Sequence, residues 1–119
     1  MTGPGTDEPS YQLQLEHRDT TVVAHLSGEV DHDNARELQA ALLDGAGTQP
    51  LVLDLSNVQY LDSAGMAVVE TLRRTTPVLL VVAPDSVIRH AIDIVGLHYL
   101  VPVHTTLDTA LAEARQLVP

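Results

Sequence analysis

Asp62-Ser63 is the pair of residues in this chain whose types and placement could do chemistry. It follows Leu51-Val52-Leu53-Asp54-Leu55, a short apolar run expected of a strand buried on both faces. It precedes Val68 to Arg74, which reads as a helix closing on Arg73 and Arg74, two cations suited to its C-terminal dipole. Strand, polar turn and helix in that order put Ser63 at or next to the helix start, with Asp62 as its N-cap. The free N–H groups of a first turn favour an anion, so the Ser63 hydroxyl points outward from a site suited to negative charge. Gly65, lacking a Cβ, lets that turn lie close against neighbouring backbone. In isolation, Asp-Ser before an apolar run is also an ordinary helix start.

Other chemistries lack their parts. A Ser-His-Asp hydrolase needs its serine on a G-x-S-x-G elbow, and Asp62-Ser63-Ala64-Gly65 has no glycine two residues before the serine. The chain contains no lysine, which removes both a phosphate-cradling Walker loop and Schiff-base catalysis. Cysteine is absent, so disulfides, thiol nucleophiles and thiolate metal sites are excluded. His17, His25, His32, His90, His98 and His104 are scattered over different expected elements. Only His32 lies in an acidic cluster, Asp31-His32-Asp33, and it lacks the further ligands and turn glycine of a calcium loop. No catalytic residue, metal or cofactor is expected.

The elements that must position Ser63 follow from composition and periodicity. The 119 residues fit one domain, 45% are hydrophobic, and no run approaches the ~18 apolar residues of a membrane span. No basic-then-apolar leader opens the sequence, so a cytoplasmic location is expected by default. A formal charge of −10 and only three aromatic residues argue against binding nucleic acid.

Residues 1–10 read as a flexible tail and residues 11–118 as the domain. Tyr11, Leu13 and Leu15 alternate with polar residues in a half-buried strand, and Thr21 to Leu26 forms the second arm of an antiparallel hairpin. Ser27 to Asn34 is an acidic connection into a helix that Asp33 or Asn34 can cap. Ala35, Leu38, Ala41 and Leu42 give that helix its buried face, and Gly45 and Gly47 end it. Beyond the central turn, Val78 to Ala83 is a second interior strand. Pro84-Asp85-Ser86 starts a helix buried through Ile88, Ala91, Ile92 and Val95, and Gly96 stops it. Leu100 to Val103 contains Pro102 and belongs at an edge, and Thr105-x-x-Asp108 boxes the start of a last helix. The order β-β-α-β-α-β-α-β-α implies an α/β fold around a mostly parallel sheet, with Ser63 at the strands' C-terminal ends.

Asp54-Leu55-Ser56 followed by Leu61-Asp62-Ser63-Ala64-Gly65-Met66 resembles the signature of STAS domains, specifically of anti-sigma factor antagonists. Leu26-Ser27-Gly28-Glu29-Val30-Asp31-His32 looks like the family's Gly-Glu-hydrophobic-Asp segment, and Pro84, Val87, Arg89 and Gly96-Leu97 match its later helix. The chain departs at Ala64, where the family usually carries a second Ser or Thr, and at Ala67, often Gly. The resemblance implies a binding module, not an enzyme, that engages a serine-kinase anti-sigma factor and is released when Ser63 is phosphorylated. A PP2C-like phosphatase would reset it. Carried over residue by residue, Glu29 and Asp31 contribute to docking, Asp62 orients the hydroxyl, and Gly65 belongs to the same partner surface. The alternative is a STAS scaffold or transporter-accessory subunit that is never phosphorylated.

Overall fold

In the computed structural model, which describes residues 11–117, Tyr11–Arg18 (β1) and Thr21–Val30 (β2) pair antiparallel across the two-residue turn Asp19-Thr20. Asp19 takes a φ of 55°, a left-handed turn conformation that Asp tolerates. The tail expected over residues 1–10, and Val118 of the last helix, lie outside the described residues. Helix Ala35–Ala46 (α1) then crosses to strand Leu51–Leu61 (β3), and helix Ser63–Leu72 (α2) to strand Val78–Val81 (β4). Helix Val87–Val95 (α3) and a short 3₁₀ turn, Leu97–Tyr99, lead to strand Val103–His104 (β5) and helix Leu107–Gln116 (α4).

The strands lie in sequence order, β1-β2-β3-β4-β5, and every pair after the hairpin is parallel. Right-handed crossovers that step the same way each time put α1, α2 and α3 on one face. Alternation along the strands divides the core accordingly. Val22, Ala24, Leu26, Leu51, Leu53 and Leu80 point toward α1–α3. Val23, Val52, Leu79 and Val81 point the other way, onto Ala110, Leu111 and Ala114 of α4. On the first face the Tyr11 hydroxyl donates to Glu37 Oε1 at 2.8 Å, tying β1 to α1; burial and that carboxylate push the phenol up to about 12.

Several sequence expectations shift. The strand before the central turn does not end at Leu55 but continues to Leu61, and β2 runs on to Val30. Val95 is 57% exposed rather than buried, because α3 turns only a narrow stripe, Ile88 and Ile92, fully inward. Asn34, one of the two residues expected, is the N-cap of α1, but its side chain makes no cap bond; the Asp31 carboxylate accepts from Asp33 N and Asn34 N in the turn before it. Thr106, not Thr105, caps α4, accepting from Thr109 N at 3.2 Å. Of Pro84-Asp85-Ser86, expected to start α3, Ser86 is the cap and the helix begins after it; Gly96 stops it as expected, at a φ of 77°.

β3 outruns β2 by two bulges. From His25↔Asp54 to Ser27↔Asn57, β2 advances two residues and β3 three; from Gly28↔Val58 to Glu29↔Tyr60, β2 advances one and β3 two. Asp54 Oδ1 accepts from Ser56 N at 3.0 Å and steadies the first bulge, while Gly28 supplies a φ of 91° at the second. On the face toward α1–α3, burial in β3 therefore changes period, from every second residue at Leu51, Leu53 and Leu55 to every third at Leu55, Val58 and Leu61.

Where α4 does not cover the sheet, a charge network joins three strands. His25 on β2 meets Glu16 of β1 through Nε2 at 2.9 Å and Asp54 of β3 through Nδ1 at 3.2 Å, and Arg18 meets the other Glu16 oxygen. The Glu16 hydrogen bond raises the His25 pKa above its ordinary value; partial burial opposes this and Asp54 adds to it. A folded-state pKa above the unfolded one contributes stability in full below about pH 6.5 and loses it as pH rises through the raised value. The urea midpoint should accordingly fall across that interval, and His25→Gln should flatten the fall. Equal slopes in both proteins would remove His25 as its source.

Candidate functional site

β3 delivers the chain to the sheet's C-terminal edge at Leu61, and a single residue, Asp62, separates it from α2. Asp62 N donates to Val30 O at 3.2 Å, continuing the ladder, while the Asp62 carboxylate turns toward two neighbours. Its Oδ1 accepts from Gly65 N at 3.0 Å, the N-cap bond expected from sequence, and its Oδ2 accepts from His32 N at 3.2 Å. Such a cap contributes about 1 kcal/mol. One side chain thus starts α2 and pins the turn that starts α1.

That turn, residues 31–34, is held from inside as well. Asn34 Oδ1 accepts from Asp31 N at 2.9 Å, and Asn34 Nδ2 donates to Glu29 O at 3.1 Å. Glu29 is exposed at the end of β2 and Asp31 half-buried just beyond it. The expected docking residues Glu29 and Asp31 and the expected acceptor Ser63 are therefore brought to one edge of the sheet. The link between them, His32 N to Asp62, was not foreseen, because a backbone donor leaves no mark in sequence.

Ser63 is the first residue of α2 and is exposed, with no hydrogen bond to its hydroxyl among the described residues. Asp62 fixes the turn that presents this hydroxyl rather than accepting from it, since its oxygens face backbone N–H groups. Gly65 is buried, and what approaches it is side chain, not the backbone expected. A Cβ there would lie 2.4 Å from Leu61 Cδ1 and 3.1 Å from Val30 Cγ1. Gly65 therefore seats the turn and is not itself exposed. Among the described residues no three His, Asp or Glu side chains gather as a metal ion requires, and no helix is long and apolar enough to cross a membrane.

The sheet, parallel after its hairpin, thus offers an exposed serine at a helix start tied to an acidic turn. Residues 12–110 match the family model described as STAS domain, and the chain belongs to that family. It is 31% identical to an anti-sigma factor antagonist from Mycobacterium paratuberculosis, with a TM-score of 0.79 over 89% of this chain and 95% of that one. It is 27% identical to the anti-sigma-F factor antagonist RsfA of Mycobacterium tuberculosis, over 87% of each chain. The Bacillus cell fate determinant SpoIIAA, in a structure of its phosphorylated form, is 25% identical with a TM-score of 0.57, covering 86% of this chain and 98% of that one.

Proposed function

We propose that this protein is an anti-sigma factor antagonist that works by partner switching, with Ser63 as its phosphoacceptor. The unmodified form binds a serine-kinase anti-sigma factor and so frees a sigma factor. The kinase brings its own ATP and Mg²⁺. Ser63 Oγ forms a bond to the γ-phosphorus, the bond to the β-bridging oxygen breaks, ADP leaves, and the hydroxyl proton passes to a base on the kinase. The phosphorylated form dissociates, and a PP2C-like phosphatase restores it by hydrolysis. The chain itself acts as binding partner and substrate, not as catalyst.

The observation that carries this reading is the doubly engaged Asp62 carboxylate, which makes the acidic turn and the serine-bearing helix start a single face. The names of the relatives support the antagonist role, and the phosphorylated Bacillus relative supports a phosphorylation step. The test is labelling by the cognate kinase with ATP. Because Ala64 has no hydroxyl, mass spectrometry should find one modified species, phosphorylated at Ser63. Absence of labelling would favour the scaffold alternative, and a second site would contradict the single-acceptor reading.

Docking should depend on the acidic turn. Asp31→Asn keeps an oxygen that can accept from Asp33 N and Asn34 N, so the turn survives while one charge is lost. Affinity for the kinase should fall by up to about fivefold, the range of an exposed ion pair, and the difference should shrink as salt rises. Identical calorimetric affinities at low salt would remove Asp31 from the interface.

A further inference from the structure

Arg36 stands where helix electrostatics disfavour it. It is the second residue of α1, in the first turn, where the positive end of the macrodipole prefers an anion. Arg18, Arg73, Arg74 and Arg89 each sit on a carboxylate, and Arg115 stands in the last turn of α4, where the dipole favours a cation; Arg36 is exposed and makes no ion pair among the described residues. In a chain of charge −10, an unpaired cation at that position calls for another use.

What Arg36 lines is a groove of about 300 Å³ between α1 and α2. His32, Arg36 and Gln39 form one wall, and Ala64 and Ala67 part of the other. Ser63 is not part of that lining, but it precedes Ala67 by four residues, one helical turn, and adjoins Ala64, so its side chain shares a face of α2 with the groove's second wall. The bond from His32 N to Asp62 holds the opposite wall to the start of α2. Of the nearby carboxylates, Asp31 and Asp62 already accept from backbone N–H groups, and Asp33 lies 3.3 Å from His32 Nε2, which leaves the Arg36 guanidinium as the cation without a carboxylate here.

We propose that this groove holds the phosphoryl group of modified Ser63, with the Arg36 guanidinium as its principal receptor and His32 as a second donor. The inference rests on Ser63 being the phosphoacceptor and adds where the group goes. An arginine matches phosphate oxygens with paired N–H donors. Docked in this way, the phosphoryl group closes the groove to any partner side chain, so release works by occupation as well as by charge.

The test needs no kinase: phosphoserine is installed at position 63 during translation, and its second ionisation is followed by ³¹P NMR across pH 4.5 to 8. That ionisation lies near pH 6 in an isolated phosphoserine, and a neighbouring guanidinium lowers it. Arg36→Gln should raise it by at least about 0.7 unit, the effect of one unit charge ~4 Å away in water. Arg89→Gln, on α3 and paired with Asp93, should leave it unchanged. Both variants alter exposed or half-exposed surface, and circular dichroism checks that they fold. An unmoved value in Arg36→Gln, or an equal shift in both variants, would overturn the proposal. A kinase that fails to label the natural protein would count against Ser63 as acceptor while leaving this titration readable, so the two ideas fail separately.

Discussion

Ser63→Asp should lower affinity for the kinase anti-sigma factor about a hundredfold while leaving the domain folded, and phosphorylation should lower it further. Ser63 is exposed and its hydroxyl makes no hydrogen bond among the described residues, so the substitution removes nothing the fold uses. A helix start offsets part of the added charge, by about 0.3–1 kcal/mol. Asp62 opposes it, but two unit charges ~4 Å apart repel by only about 1 kcal/mol in water. Docking changes the balance because a partner surface excludes water. At an effective dielectric near 20 the same repulsion rises to about 4 kcal/mol. A loss of ~2.8 kcal/mol already corresponds to a hundredfold in affinity. A phosphoserine brings roughly −1.5 to −2 charges where aspartate brings one. Ser63→Ala should bind like the unmodified protein and resist labelling. If Ser63→Asp binds as tightly as the natural protein and the kinase labels neither, the switch is wrong and the scaffold alternative takes its place.

The second large effect lies beneath the serine. Leu61 is buried, and its Cδ1 occupies the space that a Cβ on Gly65 would need, 2.4 Å away. Leu61→Ala should cost about 2–5 kcal/mol, as buried leucine truncations do. Gly65→Ala alone sets the helix gain of about 1 kcal/mol against crowding of about 1–3 kcal/mol, and should be mildly destabilising. Combined, the two should cost less than their sum by at least ~1 kcal/mol, because the atom that collides with the new methyl is gone. Urea denaturation of the four proteins in a double-mutant cycle measures this directly. Strict additivity would show that Leu61 swings aside freely and that Gly65 is not required for close approach.

The chain's element order, its hairpin and the capping of α2 and α3 were legible because each has a local cause. Alternation marks Tyr11 to Leu15, Asp62 and Ser86 carry oxygens that accept from N–H groups three residues on, and Gly96 takes a left-handed conformation. The second half of β3 was not legible. Its bulges turn a two-residue period into a three-residue one, so Leu55, Val58 and Leu61 look like neither strand nor helix. Ser27-Gly28-Glu29 reads as a loop because nothing local says that β3 pairs with it. The bonding at the start of α1 was hidden for a similar reason: Asn34 is the N-cap, but it is Asp31 that reaches forward, over a turn that Asp62, thirty-one residues later, holds in place. His25 was read only as one of several scattered histidines. Its position opposite Glu16 and Asp54 depends on strand pairing, which a single sequence does not display.

The bulged half of β3 also divides what the segment can tolerate. Ser56, Asn57, Gln59 and Tyr60 are exposed, so their identities are weakly constrained by packing. Their number is not. Removing or inserting one residue there would turn Leu61 from the interior to the solvent and carry Asp62 away from His32. Between Asp54 and Asp62 the chain is spelled loosely but counted strictly. Diversity in this stretch should therefore come as substitutions at constant length, and libraries built on it should vary letters and never spacing.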